Sequence, residues 1–247
     1  MSRVSSGVPG LDELLHGGFL PGSSILLRGA PGTGKTTLAL QFLQAGAAAG
    51  EGGLFISFEE FPASLYRDGA SLGWDLRALE ASGALILQFT SPEVLLAGLQ
   101  SPDSPILRLI HEKNVRRVVL DSITHFARLA EDEQSLRKLC TGLINGLKRE
   151  DLTSLILAED NLPETGSPRD GRLDFVVDAI VLLLYLEIDS AIQRALLVPK
   201  LRGSPHSKEI RSFRISAGTG LEVGKTFEGR QGLLSGLARR GMISSVR

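Results

Sequence analysis

This 247-residue sequence predicts an α/β fold: a mostly parallel central sheet flanked by helices, with a C-terminal antiparallel extension. Three observations carry that expectation. A short apolar run at residues 24–28 leads into Gly29-Ala30-Pro31-Gly32-Thr33-Gly34-Lys35-Thr36, and a helical pattern with apolar Leu38, Phe42 and Ala45 follows. Residues 54–58 and 118–120 are almost wholly apolar, as strands covered on both faces are. From residue 181 onward, apolar strand patterns follow one another with no long helical stretch between them, which predicts antiparallel pairing.

The elements follow in order. Gly7-Val8-Pro9-Gly10 is a turn-rich entry to a short helix over 12–16, with His16 read as its C-terminal cap. Gly17-Gly18 and Pro21-Gly22 break the chain before the first strand. The glycine stretch fits the phosphate-loop pattern G-x-x-x-x-G-K-[ST] at every fixed position. Its glycines allow backbone N–H groups to turn around phosphate oxygens, and the following helix adds its positive end. In that pattern Lys35 neutralises the β- and γ-phosphates and Thr36 offers its hydroxyl to Mg²⁺.

The second strand, 54–58, ends in Glu59-Glu60, at the strand end where open α/β sheets place their chemistry. Helices are expected over 63–72, from Gly73-Trp74-Asp75-Leu76, after Ser91-Pro92-Glu93 and over 106–113, with a strand at 84–87. Trp74 is read as a packing residue. Residues 116–122 form an apolar strand ending in Asp121, the usual form of the carboxylate that holds Mg²⁺ through water beside a phosphate loop. The clearest helix spans 133–150, and a strand at 154–158 follows.

The segment 159–172 contains Pro163, Gly166, Pro168 and Gly171, and reads as a surface loop. Its four acidic residues, Glu159, Asp160, Glu164 and Asp170, against Arg169 and Arg172 make it net acidic, and it has no aromatic residue. That is the wrong composition for a loop that grips single-stranded nucleic acid. Strands at 181–188, 195–198, 212–216 and 221–223 close the fold, and the basic stretch Lys200-Leu201-Arg202-Gly203-Ser204-Pro205-His206 is read as lying between strands. Gly224-Lys225-Thr226 imitates a phosphate loop, but Thr219 stands where the first glycine belongs. With no second copy of the nucleotide motifs, residues 1–235 are expected to be one domain, and 236–247 a basic tail, mobile or engaged by a partner.

Composition narrows the class. Apolar residues at 43% support a core, and a net charge of −1 argues against an electrostatic trap for nucleic acid or membrane. The single Cys140 excludes an intramolecular disulfide framework, argues for a reducing, cytoplasmic setting, and falls on the apolar stripe of its helix. Residues 2–20 lack the apolar core of a secretion signal, and the longest apolar run, 179–186, is too short to span a bilayer.

Taken together, the residues resemble the KaiC-like branch of the RecA superfamily of P-loop ATPases. The resemblance rests on Gly7-Val8-Pro9-Gly10-Leu11-Asp12, His16-Gly17-Gly18, the phosphate loop, Phe58-Glu59-Glu60, Gly73-Trp74-Asp75-Leu76, Leu120-Asp121-Ser122, Tyr185-Leu186-Glu187-Ile188, and Lys200-Leu201-Arg202-Gly203 with His206. It implies a homo-oligomeric ring, commonly a hexamer, binding ATP and Mg²⁺ between neighbouring subunits. One subunit would supply Gly32, Thr33, Gly34, Lys35, Thr36 and Thr37 to the nucleotide, Thr36, Glu59 and Asp121 to the metal, and Glu59 or Glu60 to polarise water. The next would bring Lys200 and Arg202 to the γ-phosphate, with Arg194, Leu201, Ser204 and His206 lining the nucleotide.

The nucleotide state would then drive assembly or signalling, with room for a further protein partner. A recombinase-type DNA-binding ATPase and a non-enzymatic, nucleotide-gated hub are the competing readings. The clock protein of this family phosphorylates its own Ser and Thr in the second of two tandem domains. Here Asp174, Phe175 and Val177 occupy the corresponding segment, which disfavours self-phosphorylation. Ala158 also lacks the hydroxyl often found at the end of its strand.

Overall fold

A computed structural model describes residues 2–159, 173–228, 230–231 and 239–240. The parallel part of the sheet is built from β1 (Ser24–Gly29), β2 (Gly52–Ser57), β3 (Leu85–Phe89), β4 (Val115–Asp121), β5 (Thr153–Glu159) and β6 (Ala179–Ile188). β7 (Ala191–Leu201), β8 (Arg211–Ser216) and β9 (Gly220–Thr226) extend it. The nine strands lie in the order β3-β2-β4-β5-β1-β6-β7-β8-β9. Pairing is parallel from β3 to β6 and antiparallel from β6 to β9, so the expected change of direction falls at β6.

Alternation along the strands divides the core into two layers. Ile25 and Leu27 of β1, Phe55 of β2, Val119 of β4 and Leu155 and Leu157 of β5 pack on one face. Leu26, Leu54, Ile56, Val118, Leu120 and Ile156 pack on the other. The first face is covered by α2 (Lys35–Ala48), α3 (Pro62–Ser71) and α4 (Leu76–Ala81), through Leu38, Phe42, Leu65 and Leu76. The second is covered by α5 (Pro92–Gln100), α6 (Pro105–Glu112) and α7 (Glu133–Arg149), through Leu95, Leu99, Ile106, Ile110, Leu143 and Leu147.

Helix starts follow local chemistry. Asp75, Ser91, Ser104 and Asp132 each accept a hydrogen bond from a first-turn N–H of α4, α5, α6 and α7, respectively. Proline occupies the first helical position of α5 and α6, where its missing N–H costs nothing.

Several boundaries differ from the sequence reading. The first helix, α1, is Leu11–Leu14, and His16 lies beyond it with φ 53°, donating its N–H to the Glu13 carbonyl. Lys200 and Leu201 are the last residues of β7, not linker: β7 runs to Leu201 because the β6 partner strand starts as early as Ala179. Two 3₁₀ turns, Ile123–Leu129 and Leu173–Phe175, have no periodicity to betray them. Gly224-Lys225-Thr226 lies in β9 and forms no loop. Most of the expected 159–172 loop and of the basic tail falls outside the described residues. Arg239–Arg240 of that tail pairs antiparallel with Arg230–Gln231.

Cys140 is buried on α7, and desolvation pushes its thiol up to about 12. The thiolate is the reactive form. The native protein is therefore expected to resist iodoacetamide at pH 8, and to react with it once unfolded; mass spectrometry reads both states. Among the described residues, no helix is long and apolar enough to cross a membrane.

Candidate functional site

The carboxyl ends of β1, β2 and β4 converge on one cleft. β1 ends at Gly29, where a Cβ would sit 2.6 Å from the Thr33 hydroxyl and 2.7 Å from the Leu183 carbonyl, so only glycine fits. The loop then folds on itself: the Thr33 N–H and hydroxyl both donate to the Ala30 carbonyl, at 3.2 and 2.8 Å. Gly32 and Gly34 take φ of 77° and 106°, the left-handed region open to glycine. Gly34 caps α2 with no side chain, leaving the first-turn N–H groups of Lys35, Thr36 and Thr37 facing the cleft.

Lys35 is buried, and its Nζ donates to the Gly29 and Ala30 carbonyls at 2.8 and 3.2 Å. The ammonium is thus parked on the loop whose phosphate it would meet. Thr36 Oγ1 donates to Asp121 Oδ2 at 3.4 Å. Burial and the nearby Glu60 carboxylate push the Asp121 carboxyl up to about 6, with Lys35 and Thr36 opposing the rise. A hydroxyl and a carboxylate oxygen are hard donors that suit Mg²⁺. No group of three or more His, Cys, Asp or Glu with metal-binding geometry exists among the described residues. A bound Mg²⁺ would take its other ligands from phosphate oxygens and water, the usual arrangement for that ion at a phosphate site. The donor set fits the ion.

The paired carboxylates are not equivalent. Glu59 Oε2 lies 3.3 Å from His125 Nε2, while Glu60 does more than Glu59, by like-charge repulsion, to raise the Asp121 carboxyl. The Ser57 hydroxyl accepts from the N–H of both, at 3.4 and 2.9 Å, which fixes the turn that presents them. His125 was not singled out in the sequence. It belongs to the 3₁₀ turn after the cis Asp121–Ser122 peptide, and a lone histidine in an unforeseen turn carries no spacing signal.

The second group of expected residues divides. Lys200 lies opposite Ile180, which neighbours Leu26, and the Arg202 N–H donates to the Asp178 carbonyl at the level of Ser24. Gly29 is five residues further along β1, so Arg202 sits about 16 Å below the phosphate loop along the strand direction. The side chains turn to the face opposite α2. Lys200 Nζ donates to the Asp174 and Val177 carbonyls, and Arg202 to that of Phe175 at 2.8 Å. Burial, with Arg202 alongside, holds the Lys200 ammonium below the ordinary lysine range.

Leu201 is buried in the core and can offer a neighbour only its backbone. Ser204 accepts from Arg3 at 2.6 Å, whereas His206 Nε2 is buried without a hydrogen-bond partner among the described residues. Arg194 is not with them. It lies six residues earlier on β7, about 20 Å away, opposite Tyr185, with its guanidinium 6.0 Å from that ring. The Tyr185 hydroxyl is 3.1 Å from where a Gly32 Cβ would be, so Arg194 stands at its own chain's phosphate loop. One phosphate cannot touch both Arg194 and Lys200 of the same chain.

Beside the cleft, Arg28 pairs with Asp174 at 3.1 Å. Ala158, Arg28, Thr124 and Cys140 line a cavity of about 30 Å³.

Comparison with known proteins identifies the family. The family described as "ATPase: KaiC" matches residues 4–228. The circadian clock oscillator protein KaiC of Thermostichus vulcanus is 36% identical over 239 residues, 96% of this chain and 45% of its own length. The circadian clock protein KaiC3 of a Synechocystis strain is 33% identical over 235 residues, 95% of this chain and 46% of its own. The chain thus spans less than half the length of these curated relatives. The crystal structure of KaiC-like protein PH0186 from Pyrococcus horikoshii OT3 superposes with a TM-score of 0.79 and 34% identity, over 90% of this chain and 98% of that one. With its nucleotide-type cleft and strand order, this chain belongs to the KaiC ATPase family of the RecA superfamily.

Proposed function

We propose that the chain hydrolyses ATP at sites shared between copies of itself in a ring, a hexamer by resemblance, and that the nucleotide state governs its assembly or signalling. One observation carries the reading. The chain has a phosphate-gripping cleft, yet the backbones of Lys200 and Arg202 lie about 10 and 16 Å below it along the strands, with their side chains held on the other face of the sheet. A cation that cannot reach its own cleft is suited to serve another copy's.

The residues divide the chemistry. The amides of residues 32–37 and the Lys35 ammonium bind the phosphates, with Lys35 leaving the carbonyls of Gly29 and Ala30 for them. Thr36 and Asp121 hold Mg²⁺, which, when bound, neutralises charge on the phosphate oxygens. Glu59 or Glu60 accepts the proton of the attacking water, and His125 holds the Glu59 carboxylate in place. Lys200 and Arg202 of the adjoining copy stabilise charge spreading over the γ oxygens. Asp174, Phe175 and Val177 carry no hydroxyl, which favours transfer to water over transfer to the chain itself.

The test is the Glu59→Gln/Glu60→Gln variant. Turnover is expected to fall by roughly 10²–10⁴, the usual worth of a general base, while ATP affinity measured by fluorescence titration stays within a few-fold. Lost binding with the fold intact would overturn the base assignment.

A further inference from the structure

Among the described residues, the exposed aromatic side chains fall in two places, and both adjoin charges of the shared site. Phe61 is 64% exposed and Phe89 41%, and their rings stack with centroids 4.3 Å apart. Phe61 follows directly on Glu59 and Glu60. Phe175 is 68% exposed, and its carbonyl accepts from the exposed Arg202 guanidinium. An aromatic pair next to two carboxylates and a lone aromatic next to two cations are complementary in charge, and both present exposed apolar rings.

We propose that Phe175 of one copy seats on the stacked Phe61–Phe89 pair of the next copy, forming the apolar anchor that sets the approach of Lys200 and Arg202. The inference rests on the shared-site reading above, and it names the residues that hold the two copies in register.

Scale supports it. Phe61 is one residue from Glu60, about 3.8 Å along the chain. Arg202 is hydrogen-bonded to Phe175. Bringing Arg202 to a phosphate beside Glu59 and Glu60 therefore delivers Phe175 within a side chain's length of Phe61. The cations alone would be a poor anchor, because exposed charge pairs are screened and weakly oriented. Three aromatic rings leaving water together supply a short-range, shape-dependent contact, and aromatic anchors of this kind dominate interface energetics. The stacking of Phe61 on Phe89 within one copy preforms the seat, so little side-chain freedom is lost on docking.

The test uses the full chain with Mg²⁺ and a non-hydrolysable ATP analogue. A Phe61→Cys/Phe175→Cys variant, treated with a short bis-maleimide, is expected to give a ladder of covalent multimers on a denaturing gel. Each single variant should give none, since buried Cys140 stays inert. Independently, Phe175→Ser should raise the concentration at half-assembly at least about tenfold, and adding Phe89→Ser should bring little further loss. All three positions are exposed, so the substitutions leave the core untouched.

If native mass measurement shows assembled particles but the double variant yields no ladder, the aromatic seat is wrong and the shared site stands. If Phe175→Ser assembles like the parent chain, the seat is likewise wrong. If no assembly forms and Lys200→Ala leaves turnover unchanged, both readings fall.

Discussion

Replacing Asp121 by Asn is expected to make the nucleotide-free protein more stable above pH 6 while it cripples turnover. The two effects have one origin. Burial and the Glu60 charge raise the Asp121 carboxyl from 3.8 to about 6. A carboxyl whose folded pKa exceeds its unfolded value binds protons more tightly in the native state. It therefore destabilises the native protein wherever it must be ionised, fully above pH 6, and that penalty fades as pH falls from 6 towards 4. At 1.36 kcal/mol per unit, and allowing for partial exposure, the penalty is about 2 kcal/mol.

Asparagine keeps the shape and removes the charge, so Asp121→Asn should raise Tm at pH 8 by roughly 4–8 °C for a chain of this size. The parent chain should gain stability between pH 8 and pH 5 relative to the variant. Turnover should drop about ten- to a hundredfold, the usual cost of losing a carboxylate that orients a metal's shell. A thermal scan at both pH values with a turnover assay reads all of this. If Asp121→Asn lowers Tm at pH 8, the carboxylate is not the desolvated charge described here.

That penalty marks where sequence reading works and where it stops. The phosphate loop, the Asp121 strand and the paired glutamates were legible because each is contiguous: a fixed spacing encodes a fixed backbone path. The apolar run at residues 24–28 was legible as a strand for the same reason, whereas the division of Ile25 and Leu27 from Leu26 between two core layers comes from the structure. The His125–Glu59 contact was not, because it joins positions 66 residues apart through a 3₁₀ turn without periodicity. Nor was the separation of Arg194 from Lys200. In the sequence they are six residues apart in one motif-rich stretch. In the structure that stretch is a strand, and a strand converts six residues into about 20 Å. The stacking of Phe61 on Phe89 was equally hidden, since it depends on β2 and β3 being neighbours in the sheet.

Two inactive variants are expected to recover activity when mixed. Lys200→Ala/Arg202→Ala removes the cations and leaves the cleft intact; Glu59→Gln/Glu60→Gln disables the cleft and leaves the cations. Alone, the first should lose roughly 10³–10⁵ in turnover if the cations act as an arginine finger does, and the second roughly 10²–10⁴. In a head-to-tail ring each interface draws its cleft from one copy and its cations from the next. Random mixing in equal amounts then leaves about a quarter of the interfaces fully equipped. Turnover per chain should rise from near zero to about a quarter of the parent value once the copies have exchanged. A chain that used its own Lys200 and Arg202 could not behave this way, because every copy in the mixture would still lack one half of its site. Recovery would require an interface, and its absence in rings shown by mass to be mixed would place the cations outside the reaction. The placement of β7 against β6 and β1 makes the first outcome the physical expectation: the carbonyls of Asp174, Phe175 and Val177 hold these cations on the face of the sheet opposite α2, the phosphate loop's helix, where another copy's cleft is the one they can serve.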